Sequence, residues 1–290
     1  MYNLTDINEI RAIISRFGFS FSKSLGQNFL TSSEICHNIA KAGVTSPDTA
    51  VLEIGTGIGS LTQCLAEVSD RVVTTEIDKK LFPIIDETLK FYDNVTSVRE
   101  DIMKQDIAAF VKKHLGSGKV AVCANLPYYI TTPVILGLLE SGVKWESITV
   151  MIQKEVADKI CAPIGTRDAG AISCTVRYYG RAQKCFDVGK GYFYPSPKVD
   201  SAVIKITPDD EVSGRITEPS AYFKVVRCGF AQRRKSFVNS FSASSGVAKD
   251  RTFKMLSDLG IDENIRAEKL TIDELIALAE YAEENNLFSK

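Results

Sequence analysis

Ala50-Val51-Leu52-Glu53-Ile54-Gly55-Thr56-Gly57-Ile58-Gly59 is a short apolar run that closes on three glycines at alternate positions. A run of this length without polar alternation suits a strand buried on both faces. Glycines placed directly after it let the backbone turn tightly and approach a ligand without a Cβ clash. The spacing G-x-G-x-G departs from the dinucleotide fingerprint G-x-G-x-x-G, because position 60 is Ser. A helical pattern follows over residues 61–67, so the stretch reads as strand, glycine turn and helix. Such turns also arise for packing alone, and the weight therefore falls on what stands at the neighbouring strand ends.

Working outward, strand-like runs recur at 71–77, 95–99, 119–124 and 147–152, roughly 25 residues apart. Helical patterns at 79–90 and 132–140 lie between them. This alternation implies βαβ units and a mostly parallel sheet covered on both faces. Two further runs, 182–188 and 201–207, have no helix between them and are expected as an antiparallel hairpin at the end of the sheet. Residues 1–16 have the apolar spacing of a short amphipathic helix. Pro208-Asp209-Asp210-Glu211 is polar and breaker-rich, and marks a domain boundary. Beyond it only helical patterns occur, at 219–230, at 250–259, and from Thr271, where Glu274 completes a capping box. The expected organisation is an α/β Rossmann-like sheet domain with an N-terminal helical extension, residues 1–207, and a small all-helical C-terminal domain, residues 208–290.

Composition excludes several classes. The chain has 290 residues, 44% of them hydrophobic, enough to bury a sizeable core. No stretch approaches the ~20 apolar residues of a membrane span, and the N-terminus lacks the features of a secretory signal. A soluble cytoplasmic protein is expected. Seven cysteines are scattered without a C-x-x-C pair, and the two histidines, His37 and His114, stand far apart. Neither a metal centre nor a Ser-His-Asp site is expected from that pattern. The net charge of −1 conceals a basic segment between Lys224 and Lys254, with eight basic residues against Asp250 alone, a local +7.

Glu76 ends the second strand run, about twenty residues after the glycine turn, where a carboxylate accepts hydrogen bonds from ribose hydroxyls. Asp101 follows the third, placed to accept from an adenine amino group, with Ile102 beside it to cover the ring. Each acid alone reads as a solvated loop carboxylate. Three features at successive strand ends on one sheet edge are much harder to obtain by chance. Together they resemble a Rossmann-type methyltransferase that uses S-adenosylmethionine. The fourth strand run is followed by Asn125-Leu126-Pro127-Tyr128, which resembles the motif of methyltransferases that act on planar amino nitrogens. An adenine amino lone pair is delocalised into the ring. Two acceptors aimed at its hydrogens, the Asn125 side-chain oxygen and the Leu126 carbonyl, favour a pyramidal nitrogen. Pro127 fixes φ and removes a competing donor. Tyr128 offers a stacking face for a flipped base. In isolation the same four residues describe a turn in which Asn caps a helix and Tyr packs in the core. Phe193-Tyr-Pro-Ser-Pro-Lys-Val-Asp-Ser-Ala202 is a second unusual run. Phe193 is expected across the pocket from Tyr128, although sequence alone does not separate Phe193 from Tyr194.

Lys23-Ser-Leu-Gly-Gln27-Asn28-Phe29-Leu30, the glycine turn, Asn-Leu-Pro-Tyr, residues 193–203 and Gly229-Phe-Ala-Gln-Arg-Arg-Lys235 together resemble the ribosomal small-subunit RNA adenine dimethyltransferases over nearly the whole chain. That resemblance implies that Gln27, Asn28 and Leu30 close over S-adenosylmethionine, with Gly55, Gly57, Glu76, Asp101, Ile102 and Asn125 completing its site. It implies catalysis at Asn125, Leu126, Pro127, Tyr128 and Phe193. The implied substrate is a pair of adjacent adenosines in the 3′-terminal hairpin loop of small-subunit ribosomal RNA, dimethylated at N6 within a late 30S assembly intermediate. Arg227, Arg233, Arg234, Lys235 and Lys23 are the candidate phosphate contacts. Tyr129 stands where many relatives carry Asn. Rival readings are the large-subunit RNA adenine methyltransferases of macrolide resistance, a non-catalytic RNA-binding factor on the same fold, and a DNA adenine methyltransferase. The 80 or so residues after Pro208 with their basic cluster argue against the first, and the intact acids and Asn-Leu-Pro-Tyr against the second. Nothing in the chain resembles a sequence-reading DNA domain. No spare apolar helix is evident, so a monomer is expected.

Overall fold

The computed structural model describes residues 2–22 and 25–288. Nine strands occur among them: β1 Phe29–Leu30, β2 Ala50–Ile54, β3 Val72–Thr75, β4 Val95–Val98, β5 Val120–Asn125, β6 Trp145–Gln153, β7 Gly180–Val188, β8 Phe193–Tyr194 and β9 Ser201–Pro208. Seven form one sheet in the order β4-β3-β2-β5-β6-β9-β7, and β1 pairs with β8 in a separate two-stranded sheet. The chain leaves β2 toward β3 and β4, then returns to the other side of β2 as β5. β2, β3, β4, β5 and β6 pair in parallel. Their carboxyl ends therefore share one edge, with the switch point between β2 and β5, where ligands bind in open α/β sheets.

Every residue of β2 is buried, as the unbroken apolar run requires of a strand covered on both faces. Below it, the helices Ser33–Gly43 and Ser60–Ala66 place Cys36, Ile39, Leu61 and Leu65 in one cluster with Val51, Val72, Cys123, Met151 and Val203 of the strands. A second cluster joins Ile10 and Ile13 of the N-terminal helix Ile7–Arg16 to Ile84 and Ile85 of the helix Phe82–Thr88. Ser32 and Asp106 cap the helices Ser33–Gly43 and Ile107–His114, two elements that the sequence pattern did not predict. The two runs expected as a hairpin lie side by side at the sheet end, but it is β9 that pairs with β6, antiparallel, with Ile204 opposite Val150.

The chain divides into two compact units: residues 1–157 with 183–208, and residues 158–182 with 209–290. A division after residue 207 alone therefore has to be corrected, because residues 158–182 pack with the helical unit. The cause is the helix Ala171–Tyr179, whose Cys174 and Tyr178 share a core with Tyr222, Val225, Phe237 and Phe241. The Tyr222 hydroxyl donates to the Cys174 carbonyl at 3.0 Å, so this buried polar group is satisfied inside the unit. Arg177 pairs with Asp209 at 3.2 Å and Glu211 at 2.7 Å, and Arg181 pairs with both acids as well. The polar stretch that reads as a linker is thereby anchored. The capping box at Thr271 is present in full, with Glu274 accepting from the Thr271 N–H at 2.7 Å.

Gly43 ends its helix against the middle of the sheet. A Cβ there would stand 2.2 Å from Cys123 Sγ and 3.3 Å from Thr149. Both neighbours are wholly buried and short, so they have nowhere to retreat. Gly43→Ala is expected to cost about 1–3 kcal/mol through overpacking, read as a lowered urea midpoint at unchanged slope. An unaltered midpoint would show that this helix has room to move off the sheet.

Candidate active site

The glycine turn after β2 adopts left-handed backbone at Gly55 (φ 83°), Gly57 (φ 59°) and Gly59 (φ 95°), a conformation that side chains strain. Its form is set by the end of β3: the Gly55 and Thr56 N–H groups both donate to the Thr75 carbonyl, at 2.9 and 3.2 Å. The Gly57 N–H turns instead to Glu76 Oε2 at 3.0 Å. Glu76 Oε1 accepts from the Ile77 and Asp78 N–H groups, each at 2.9 Å. The carboxylate is only 7% exposed. Burial raises its pKa above the ordinary range, and the three amide donors pull against that shift.

Glu53, on β2 itself, is 1% exposed and also lines the cleft. Thr62 Oγ1 donates to its Oε2 at 2.6 Å. Desolvation pushes its carboxyl to about 8, against the opposing pull of Thr62 and Thr74 and with some help from the charge of Glu76. Sequence reasoning gave this residue no role. The available signal was an acid inside an otherwise apolar strand, a placement that requires compensation.

Asp101 caps the short 3-10 turn Ile102–Lys104, accepting from the Met103 N–H at 3.1 Å, and Ile102 is buried beside it. Lys104 Nζ lies 3.6 Å from Asp101. The segment 25–30 runs along the same cleft. Gln27 Nε2 donates to Asp78 at 2.7 Å while its Oε1 accepts from the Ser22 N–H at 2.8 Å, so this side chain ties the segment to the β3 turn. Asn28 Nδ2 donates to the Gly26 carbonyl at 3.0 Å. Leu30 pairs with Phe193 and Phe29 with Tyr194 across β1 and β8. The Gly57 position that a Cβ would take is 3.4 Å from the Phe29 ring.

Asn125 is the last residue of β5, and its Nδ2 donates to the Asn28 carbonyl at 3.3 Å. The Leu126 N–H donates to Met151 at 3.1 Å, and the Pro127 carbonyl accepts from Ile130 and Thr131. Pro127 holds φ −56° at the entry to the turn Tyr128–Ile130. The half-buried Tyr128 shares a hydrogen bond with Ser201 Oγ at 2.8 Å, which fixes the ring to the start of β9. Structure separates the two aromatics that the sequence left open. Phe193 lines the cleft and is 5% exposed. Tyr194 instead meets Phe21, with ring centres 5.5 Å apart, and lies under the Arg11 guanidinium.

All the residues expected at the cofactor and at catalysis line one cleft, which spans about 1080 Å³ out to its open mouth. Ile77 and Met103 join them as apolar wall that sequence reasoning missed. Glycine turns in left-handed backbone, carboxylates at two neighbouring strand ends and the apolar faces of Ile77 and Ile102 suit a nucleoside with a cationic centre, so the residues present fit S-adenosylmethionine. Arg227, Arg233, Arg234 and Lys235 belong to the helical unit and are exposed. The last three lie on the turn between the helices Pro219–Gly229 and Phe237–Ser245. Lys23 lies outside the described residues.

The chain is similar to known proteins. The ribosomal RNA adenine dimethylase family profile matches residues 18–284. A ribosomal RNA small subunit methyltransferase A from Lactiplantibacillus plantarum is 44% identical over 274 residues, covering 93% of each chain. Its namesake from Lachnoclostridium phytofermentans is 40% identical over 98% of this chain and 99% of its own. Among solved structures, a dimethyladenosine transferase from Plasmodium falciparum superposes with a TM-score of 0.75 at 23% identity, over 89% of this chain and 98% of its own. The 23S rRNA methyltransferase ErmE superposes with a TM-score of 0.65, also at 23% identity, over 87% and 98%. Both structural likenesses concern the fold.

The elevated Glu53 carboxyl sets a pH dependence. Between its ordinary 4.5 and about 8 the folded protein holds a proton there that the unfolded chain has released. Folding stability from this group is therefore full below the lower value and falls as pH rises through the upper one, by up to about 1.4 kcal/mol per pH unit. Glu53→Gln is expected to remove that decline from a urea-denaturation series run between pH 5 and 8. Parallel profiles for the two proteins would refute the assignment.

Proposed function

The chain belongs to the ribosomal RNA adenine dimethylase family, and from that membership we propose that it acts on small-subunit ribosomal RNA. In this reading it places two methyl groups on N6 of each of two adjacent adenosines in the 3′-terminal hairpin loop, within a late 30S assembly intermediate. It works as a cytoplasmic monomer. The observation that carries the reading is the opening of Asn125-Leu126-Pro127-Tyr128 onto the same cleft as the glycine turn, Glu76 and Asp101. The name borne by the curated relatives supports the small subunit, as does the helical unit with its exposed arginines.

S-adenosylmethionine, when bound, supplies a methyl group made electrophilic by its sulfonium sulfur. Glu76 would hold the ribose hydroxyls, Asp101 would accept from the amino group of the cofactor's adenine, and Ile102 would cover that ring. Gly55 and Gly57 would leave room for the cofactor at the turn, and Gln27, Asn28 and Leu30 would close the other side. At the target base, Asn125 Oδ1 and the Leu126 carbonyl accept from the two amino hydrogens. Asn125 has its Nδ2 committed to Asn28, which presents the oxygen to the base. The Pro127 carbonyl is already occupied by Ile130, so it does not compete. With its lone pair released from the ring, the nitrogen would be positioned to take the methyl carbon as the pair of the carbon–sulfur bond returns to sulfur, and its surplus proton would pass to water. Tyr128 stacks on the base and Phe193 bounds it from the β8 side. Catalysis rests on positioning, which needs no strong general base.

Mass spectrometry of the small-subunit RNA 3′ end, after incubation of immature subunits with the protein and S-adenosylmethionine, tests the reading. Four added methyl groups on one 3′-terminal fragment are expected, and methylation of naked large-subunit RNA in its place would overturn it. Asn125→Ala is expected to lower kcat on the order of 10²-fold, by analogy with the loss of a single preorganised hydrogen-bonding group. Full methylation by that variant would remove Asn125 from catalysis. In the helical unit, the triple change Arg233→Ala, Arg234→Ala, Lys235→Ala should shallow the plot of log K against log salt by roughly 0.7–0.9 for each phosphate that is no longer neutralised. An unaltered slope would take these residues out of the RNA interface.

A further inference from the structure

One exposed aromatic next to the cleft has no part in the chemistry above. Tyr192 directly precedes Phe193, yet its side chain is 51% exposed while Phe193 is buried along the cleft. No ring pair among the described residues includes it. Its backbone, in contrast, is firmly held. The Tyr192 N–H donates to the Gly189 carbonyl at 3.1 Å, and its own carbonyl accepts from the Thr31 N–H at 2.9 Å. The rest of loop 189–200 is pinned similarly: Asp200 Oδ1 accepts from the Lys190 N–H at 2.9 Å, and Ser196 Oγ donates to the Lys190 carbonyl at 2.8 Å. One edge of the ring rests near Gly189, where a Cβ would stand 3.9 Å away. Lys190 and Lys198 lie on the same loop, both exposed, and the ion pairs of the described residues include neither. Asp200 is the loop's sole acid, and it is engaged on the Lys190 amide.

We propose that loop 189–200 presents Tyr192 as a stacking platform for a nucleotide that flanks the target adenosine, with Lys190 and Lys198 on the adjoining phosphates. The proposal rests on the RNA-substrate reading above and adds a contact to it. Three properties combine in its favour. A large apolar ring kept in water is unfavourable for the free protein and is relieved when something flat covers it. The pinned backbone means that little conformational freedom is lost on binding. Aromatic faces interleaved with free lysines are the surface that single-stranded nucleic acid takes, because stacking tolerates any base and the cations follow the backbone. The position decides which nucleotide is meant. Phe193 bounds the target base, so a ring one residue away and outside the cleft meets the neighbour that stays outside while the target is flipped in.

Steady-state methylation of immature small subunits by four variants tests this. Tyr192→Ala and Tyr192→Leu should raise KM for the particle roughly 10-fold, as expected for loss of one base–aromatic stack. Tyr192→Phe should restore the wild-type KM, because it keeps the ring and loses only the hydroxyl. Phe91→Ala, which removes an equally exposed ring elsewhere, should leave KM as it is. In parallel, a hairpin RNA carrying 2-aminopurine beside the target adenosine should be quenched on binding the wild-type and Tyr192→Phe proteins but not the Leu variant. A wild-type KM for Tyr192→Leu, or equal quenching by all variants, would overturn the platform. Failure of the wild-type protein to methylate the particle would instead refute the substrate reading, so the two failures are told apart.

Discussion

The carboxylate of Glu76 is the constraint on which the cleft depends. It is almost fully buried, and a buried carboxylate without partners is strongly unfavourable. Three backbone N–H groups meet it, from Gly57, Ile77 and Asp78. The first of these reaches it because Gly57 sits at φ 59°, which a side chain would resist. One acid thus couples the turn after β2 to the turn after β3. The consequence extends further, because Asp78, oriented in the same turn, receives Gln27 Nε2, and Gln27 in turn receives the Ser22 N–H. The segment along the cleft's outer side is therefore held by a chain of hydrogen bonds that begins at Glu76. Three of the carboxylate's roughly four lone-pair sites are taken by these amides, and the site left on Oε2 is the one it could offer a ligand hydroxyl.

A second anchor acts at the end of β5 and explains why particular oxygens are free. The turn 125–128 carries several acceptors in close succession. Internal donors satisfy some of them: the Pro127 carbonyl takes Ile130 and Thr131. The Asn125 amide is oriented by donating to the Asn28 carbonyl, which leaves its oxygen pointing away from that partner. Chemistry at an amino nitrogen needs acceptors and excludes competing donors, so the division of labour within four residues matters more than their identity as a motif. Glu53 and Glu76 show the same principle with acids. They lie close together, yet one is met by three amides and the other chiefly by threonine hydroxyls, and the latter carries the larger upward shift, to about 8.

How much was legible in sequence follows from the range of the signals. The strand cores of β2, β5 and β6 and the glycine turn were readable because burial on both faces leaves an unbroken apolar run. Glu76, Asp101 and Asn125 were readable because strand ends on one edge of a parallel sheet are comparable positions. What escaped was long-range or very short. β1 and β8 have two residues each, too few for any period, and only their pairing reveals them. That pairing also resolves Phe193 from Tyr194. Adjacent residues of a strand face opposite sides, and the register of Leu30 on Phe193 decides which side is the cleft. The helix Ala171–Tyr179 escaped for a different reason. Its apolar face looks the same in sequence whichever unit it covers, and only Tyr222 and Phe241 show where it belongs.

The rim of the cleft bears on what it receives. Ile77, Met103 and Tyr129 are 46%, 36% and 54% exposed, and all three line the opening. Gly26, at φ 59°, packs under the Tyr129 ring, whose nearest atom lies 3.6 Å from its Cβ position. Apolar groups gathered at one mouth are unfavourable in water unless a ligand covers them. Deeper in, buried apolar side chains such as Ile102, Leu126 and Phe193 stand beside the carboxylates of Glu53 and Glu76. A ligand that satisfies both must be polar along its edges and flat and apolar on its faces, as purine rings are. In the proposed reaction the adenine of the methyl donor and the target adenine are two such rings, and both would meet that demand within a single cleft. The exposed rim would then be covered by the reacting pair itself.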